Sequence, residues 1–286
     1  MSTSLTKTKR RINSIESTEK TTKAMELIAN VKTKRFRDAY EKGLLYSSEF
    51  RDLMGYLFGE SPELLSHYGR ENEGDLPSLY LAIGSNMGLC GAYNNNIYKL
   101  IEKTVKPTDY LAPIGSKTAN HYLRNAMYPN IILDFKDLNS SLDFDAFHKN
   151  CIDLKTAFNE KKYKDIAIIY THYVNSITFM PMVYRLLPVQ IGKKNWPNDS
   201  FCPPLIEGGA KEMLHAIMPD YLISTLYSLL LESELSENAS RRTAMDNAND
   251  NADELLKKLN IEYNKARQNA ITQEITEVVG GANASK

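Results

Sequence analysis

Proline and glycine are almost missing from both ends of this 286-residue chain. From Ser4 to Phe58 there is no proline and the first glycine is Gly43; after Pro219 no proline follows, and no glycine comes before Gly280 and Gly281. Those two residue types are the strongest helix breakers, so each end predicts one long uninterrupted helix, with Thr3 or Ser4 available to cap the first. At about 1.5 Å per residue the final stretch alone would reach roughly 90 Å, more than a small domain can wrap. Cysteine is scarce: Cys90, Cys151 and Cys202 are odd in number and far apart. That excludes a disulfide framework and metal-ligand spacing, suits a reducing compartment, and leaves all three as packing residues. No window approaches the roughly eighteen uninterrupted apolar residues that a membrane span needs. The opening MSTSLTKTKRRINSIES lacks the apolar segment of a secretory signal and its periodicity continues to Tyr40, so it reads as mature protein.

Net charge is also missing, with 35 basic residues against 35 acidic ones, but the zero conceals a polarity. Lys7 to Arg37 holds ten Lys or Arg against three Glu, whereas from Glu212 onward twelve Asp or Glu face seven Lys or Arg. The ends are electrically complementary, as two helices lying side by side require to choose partner and register. Each also carries a seam. Leu256, Leu259, Tyr263, Ala266 and Ala270 recur at alternating spacings of 3 and 4, shrinking toward alanine, so a partner backbone can come close. A long surface helix with an ordinary amphipathic face fits the same spacing. Ile12, Ile15, Thr22, Met25, Ala29, Phe36 and Tyr40 mark the first helix, with Glu19 falling where an apolar group is expected. Glu19 is either a buried polar residue that sets register or an outward one. Lys32, Lys34, Arg35 and Arg37 lack interleaved aromatics or a recognition motif, so a solvated face meeting an acidic protein fits them better than nucleic acid does.

The middle has a different grammar. Gly59 to Pro77 is rich in turn formers and charge and marks a boundary. Apolar runs at 79–83, 109–114, 130–135 and 165–170 then alternate with helical stretches near 95–106, 116–125 and 143–160, which predicts βαβ units and a mainly parallel sheet. The run 177–191 carries Pro181 and Pro188 and belongs at a sheet edge. Asn195 to Gly209 is a turn-rich return to the last helix. The division that follows is 1–58, 59–209 and 210–286.

One loop looks chemical. Gly84 to Gly91, GSNMGLCG, follows a strand and precedes a helix, where phosphate loops sit, yet its glycines fit neither the dinucleotide nor the Walker spacing and no lysine follows. The five histidines are scattered, and the methionines at helical spacing read as packing. Nothing here points to a catalytic group, a cofactor or a metal. The burden falls on the helical ends.

Three motifs taken together resemble the gamma subunits of F-type ATP synthases, the central rotor shaft. Near the start, Arg11-Ile12-Asn13-Ser14-Ile15 through Lys20-Thr21-Thr22-Lys23-Ala24-Met25 is similar to the family's first segment. Ser85-Asn86-Met87-Gly88-Leu89-Cys90-Gly91 resembles its middle loop, with Asn86 where Asp is usual. Ser236-Glu237-Asn238-Ala239, then Asn247 to Ala252 and Tyr263 to Ala282, resembles its terminal motif. The resemblance implies an α/β fold: an antiparallel coiled coil of the two terminal helices with a Rossmann-like domain inserted between them. It implies no catalysis by this chain and no small-molecule substrate; the partners would be the alpha and beta subunits of a catalytic ring, the epsilon subunit and a membrane c-ring, at the cytoplasmic face of the cell membrane. Matching the motifs places Met25, Arg267, Gln268 and Thr272 against the ring, with Lys20, Lys23 and Arg241 or Arg242 supplying positive charge. The chloroplast regulatory insertion has no counterpart, so no dithiol gating is implied. The competing readings are a shaft of a specialised related ATPase, a static coiled-coil adaptor, and a Rossmann-type enzyme that binds a nucleotide.

Overall fold

The structure, a computed structural model, describes residues 2–60, 68–124, 128–139, 144–189 and 209–284. Cys202 and nearly all of the 192–209 linker lie outside these residues. In chain order the elements are α1 (Ser2–Glu60), β1 (Leu79–Ile83), α2 (Tyr93–Thr104), β2 (Tyr110–Ile114), α3 (Ser116–Tyr122), α4 (Phe144–Asn159), β3 (Ile166–Tyr173), β4 (Phe179–Leu187) and α5 (Ala210–Ala284). They form two compact units, Met1–Asn30 with Arg241–Lys286, and Val31–Ser240.

In the larger unit the sheet order is β2-β1-β3-β4, with β1 parallel to both β2 and β3, and β4 antiparallel to β3. Strand periodicity of two divides the core. Leu79, Leu81, Ile83, Ile166, Ile168 and Tyr170 pack on one side with Met54 and Leu57 of α1, Phe147 and Phe158 of α4, and Met218 and Leu222 of α5. Ala82, Leu111 and Ile169 pack on the other with Ile97 and Ile101 of α2 and Tyr122 of α3. Helices therefore cover both faces, as a sheet with parallel strands demands.

Both in-strand prolines, Pro113 and Pro181, occupy the two edge strands. Pro113 also explains why the apolar run 130–135, expected as a strand, is only a single bridge between Leu111 and Ile131. Leu111 N–H donates outward to the Asn130 carbonyl at 2.9 Å and the Leu111 carbonyl accepts from Ile132 at 2.9 Å. The next outward-facing donor on β2 belongs to residue 113, and proline has none, so the ladder stops.

The last helix runs through Pro219. A proline at 219 cannot donate to the carbonyl of residue 215, four residues back. Lys155 of α4 replaces that donor: its Nζ lies 3.1 Å from the His215 oxygen. Among the described residues one stretch, Lys211–Val279, is by length and composition apolar enough to cross a membrane, but 67 % of its apolar window is buried inside the structure. Its apolar character is used by the core.

In the smaller unit the predicted seams are the covered faces. Leu259 is buried and Leu256, Tyr263, Ala266 and Ala270 are half-buried. On α1, Ile12 and Ala29 are buried and Ile15, Thr22 and Met25 half-buried. Glu19 belongs to this row: its side chain is only 14 % exposed and its carboxylate turns to Lys23.

Candidate functional site

Two sets of polar contacts organise the long helices, one in each unit. In the smaller unit the centre is Asn249, 5 % exposed on α5. Its Nδ2 donates to Glu26 Oε2 at 2.7 Å and its Oδ1 accepts from the Thr22 hydroxyl, both on α1. The Thr18 and Glu19 carbonyls are alternative acceptors for that hydroxyl, at 3.2 and 3.0 Å. Farther along, Arg242 Nη1 lies 3.4 Å from Asn30 Oδ1. Rising numbers on α1 thus meet falling numbers on α5. The Lys23 ammonium is held above its usual range chiefly by its hydrogen bond to Glu19, against a desolvation cost, with Asp253 of α5 and Glu26 adding to it. Lys23 of the basic end thus lies within the field of Asp253 of the acidic end, while its ion pair is to Glu19 of its own helix.

In the larger unit the centre is the end of β3. Pairing with β1 reaches Ile169, opposite Ala82, but β3 continues to Tyr173. Residues 171 and 173 therefore turn backbone groups to a side where no strand remains. Side chains of α5 fill the gap. Thr171 N–H donates to Ser233 Oγ at 3.1 Å, the Thr171 carbonyl accepts from Ser236 Oγ at 3.2 Å, and Tyr173 N–H donates to Glu232 Oε1 at 3.1 Å. Glu232 also pairs with His172 Nδ1. Burial, and next the Glu232 charge, pushes the Tyr40 hydroxyl of α1 upward, while Arg37 Nη2 donates to the Tyr173 hydroxyl at 2.7 Å.

The glycine-rich loop is tied to the same helix. Ser240 Oγ donates to the Cys90 carbonyl at 2.8 Å. Inside the loop Asn94 accepts from Ser85 N–H at 3.1 Å and donates to Ser85 Oγ at 2.7 Å, and Ser85 Oγ donates to the Met87 carbonyl at 2.7 Å. Asn86 Oδ1 accepts from Ser116 N–H at 2.9 Å, at the start of α3. A Cβ on Gly84 would fall 1.8 Å from Thr118 Oγ1, and Gly115, at φ 93°, lies with its would-be Cβ 2.6 Å from the Gly84 oxygen. These glycines permit close packing of loop on helix, and the side chains of Ser85, Asn86 and Asn94 are all bonded within the protein. Met87 and Leu89 are exposed at its tip, Leu89 at φ 61°. Among the described residues no cluster of His, Cys, Asp and Glu is arranged to hold a metal ion.

The residues singled out from motifs fall into three places. Lys20 and Lys23 are exposed on α1 with Met25 half-buried beside them. Arg241 is buried at 9 % exposure and Arg242 half-buried. Arg267, Gln268 and Thr272 are exposed on the last third of α5. Sequence reasoning missed Asn249, Ser233 and Ser236 as contact-makers; polar residues at helical spacing inside an apolar stretch, 232, 233, 236 and 240, were the available signal.

A family model described as ATP synthase matches residues 4–284. A curated relative from Malacoplasma penetrans, called ATP synthase gamma chain, is 37 % identical over 98 % of both chains. One of the same description from Mycoplasma mobile is 36 % identical over 97 % of this chain and 98 % of its own, and one from Symbiobacterium thermophilum is 32 % identical over 96 % of each. The fold is similar to a chain in the rotor of the Euglena gracilis mitochondrial ATP synthase, with TM-score 0.66 and 16 % identity, covering 95 % of this chain and all of that one. A chain from the central stalk and c-ring of the Tetrahymena thermophila mitochondrial enzyme gives TM-score 0.56 at 21 % identity, over 79 % of this chain and 98 % of that one.

Proposed function

The chain belongs to the ATP synthase gamma-chain family, and from that premise we propose that it is the central shaft of a rotary ATP synthase or ATPase, a subunit that turns inside a catalytic ring and does no bond chemistry itself. The observation that carries this reading is identity of 37 % spread over 98 % of both chains, shafts and middle domain alike. The two helices of the smaller unit act as an antiparallel coiled coil, supported by contacts that join Thr22 and Glu26 to Asn249 and Asn30 to Arg242. Residues 1–58 and 210–286 serve as the shaft, and 59–209 as its foot.

The mechanism is differential contact. Three catalytic sites around one asymmetric shaft cannot all meet the same surface, so each beta subunit is biased toward a different conformer and rotation passes that bias around. Lys20, Lys23 and Arg242 present positive charge to acidic levers of the ring, Arg241 supports that segment from within, and Met25, Arg267, Gln268 and Thr272 meet the ring farther along. At the foot the partners are the epsilon subunit and the c-ring, which places the assembly on the cytoplasmic face of the membrane as a peripheral protein coupled to ion flow.

The test is reconstitution. Purified chain mixed with alpha and beta subunits should form a complex whose ATP hydrolysis exceeds that of the ring alone, with a bead attached to the foot turning in one direction. A complex that assembles without stimulation or rotation would leave a static adaptor instead.

A further inference from the structure

We propose that Pro181 is a guard on the free edge of the sheet: it keeps β4 from pairing with the β4 of a second copy of this chain. The proposal goes beyond the rotor reading and does not depend on it. On β3, Thr171 and Tyr173 turn their N–H groups away from β4, to Ser233 and Glu232 of α5. Their antiparallel partners are Pro181 and Phe179. Residues opposite one another in such a pair either both bond across the ladder or both face away from it. Pro181 and Phe179 therefore face outward, and so do Val183 and Arg185, which lie opposite Ile169 and Ala167 at the same period of two. Among the described residues no strand pairs with that side of β4.

An open edge is a template for another strand, unless shortness, charge, a bulge or a proline blunts it. β4 is nine residues long and apolar, FMPMVYRLL, with Met180 53 %, Met182 42 % and Val183 40 % exposed. It is not short. Its one charged residue, Arg185, is held by Glu71 and Asp165, and its irregularity lies at the far end, opposite the step from Ile166 to Ala167. Pro181 remains, in the middle of the outward row. When two β4 strands run antiparallel, every register that pairs three or more of residues 179, 181, 183 and 185 sets 181 opposite 181, 183 or 185. In each case residue 181 stands in a rung where its N–H would have to donate. Proline has none, and the two-fold relation of the copies repeats the loss. Registers that avoid 181 pair at most Val183 with Arg185. Pro113 ends the ladder on β2 by the same missing donor, so both rims of the sheet are closed alike.

The experiment compares full chains by sedimentation over a concentration series and by hydrogen exchange at the Phe179 and Val183 amides. In the unmodified chain both amides should exchange freely at every concentration. Slow exchange there would mean that the edge is already covered, and would overturn the proposal whatever the variants do. Pro181→Val supplies the missing donor without removing a bond to β3, since an outward residue makes none. It should bind a second copy of itself on the order of tenfold or more tightly than the unmodified chain does, with the Val183 amide slowing as concentration rises. Combining Pro181→Val with Val183→Pro takes a donor from the same outward row and should return association to the unmodified level. That control separates the missing N–H from the added apolar side chain. Pro181→Thr repeats the test with a polar strand former should the valine variant not fold. Unchanged self-association with free Val183 exchange in the variant that folds, or association that survives the moved proline, would overturn the guard.

Discussion

Burial holds the Cys151 thiol in its neutral form, pushing its pKa up to about 12, and pushes the Tyr170 hydroxyl up to about 12 as well, with the nearby Glu232 charge adding to the effect. The unfolded chain releases these protons near pH 9 to 10, so above that range the folded state retains protons that the unfolded state has lost. Stability is fully present below the unfolded values and falls as pH rises toward the folded ones. Urea midpoints should therefore decline between about pH 9 and 12, and Cys151 should resist alkylation at pH 8 until the chain is unfolded. Asn86 offers an opposite case. It accepts from the first N–H of α3 with a neutral oxygen, and Asn86→Asp would put a carboxylate at a helix N-terminus. A gain of a few tenths of a kcal/mol is expected at this exposed site, present at neutral pH and lost as the new carboxyl is protonated below about pH 4. Urea titrations at pH 7 and pH 3 measure it.

Helices that long were legible from the absence of breakers, and their seams from spacing alone, because a helix repeats its face every three or four residues whatever it packs against. Glu19 was legible as a seam position and not as a contact. Its resolution depended on Lys23 one turn away, a pairing that sequence permits but does not compel. The end of the expected third apolar run, 130–135, was readable in principle from Pro113, but only once it was known which side of β2 residue 113 faces. Lys155 was not readable at all: nothing local connects it to His215, sixty residues on. That contact makes its own prediction through a double-mutant cycle. Lys155→Met should cost about 0.5–1 kcal/mol beside Pro219, as one net hydrogen bond, and close to nothing beside Pro219→Ala, where the restored N–H takes over the carbonyl. A coupling near zero in urea unfolding would mean that water serves the carbonyl as well as Lys155 does.

For the assembled machine, Arg267→Glu reverses a charge on an exposed face of α5. Rim charges govern steering and rate more than attachment, so hydrolysis and torque in a reconstituted ring should fall several-fold while the amount of assembled complex changes little. Equal rate and torque would remove Arg267 from the mechanism. The middle domain's order was visible in the sequence as alternating runs. The proposed ring-facing residues came only from motif resemblance, since exposed charges on a long helix have no local signature of the surface they meet. The end of β3 carries a further mechanical implication. Glu232, Ser233 and Ser236 grip it from successive turns of α5, and Ser240 grips the glycine-rich loop one turn on. A cylinder keyed at four points cannot roll in its seat: spinning that stretch about its own axis would strip every key at once. Twist applied there must carry the sheet with it.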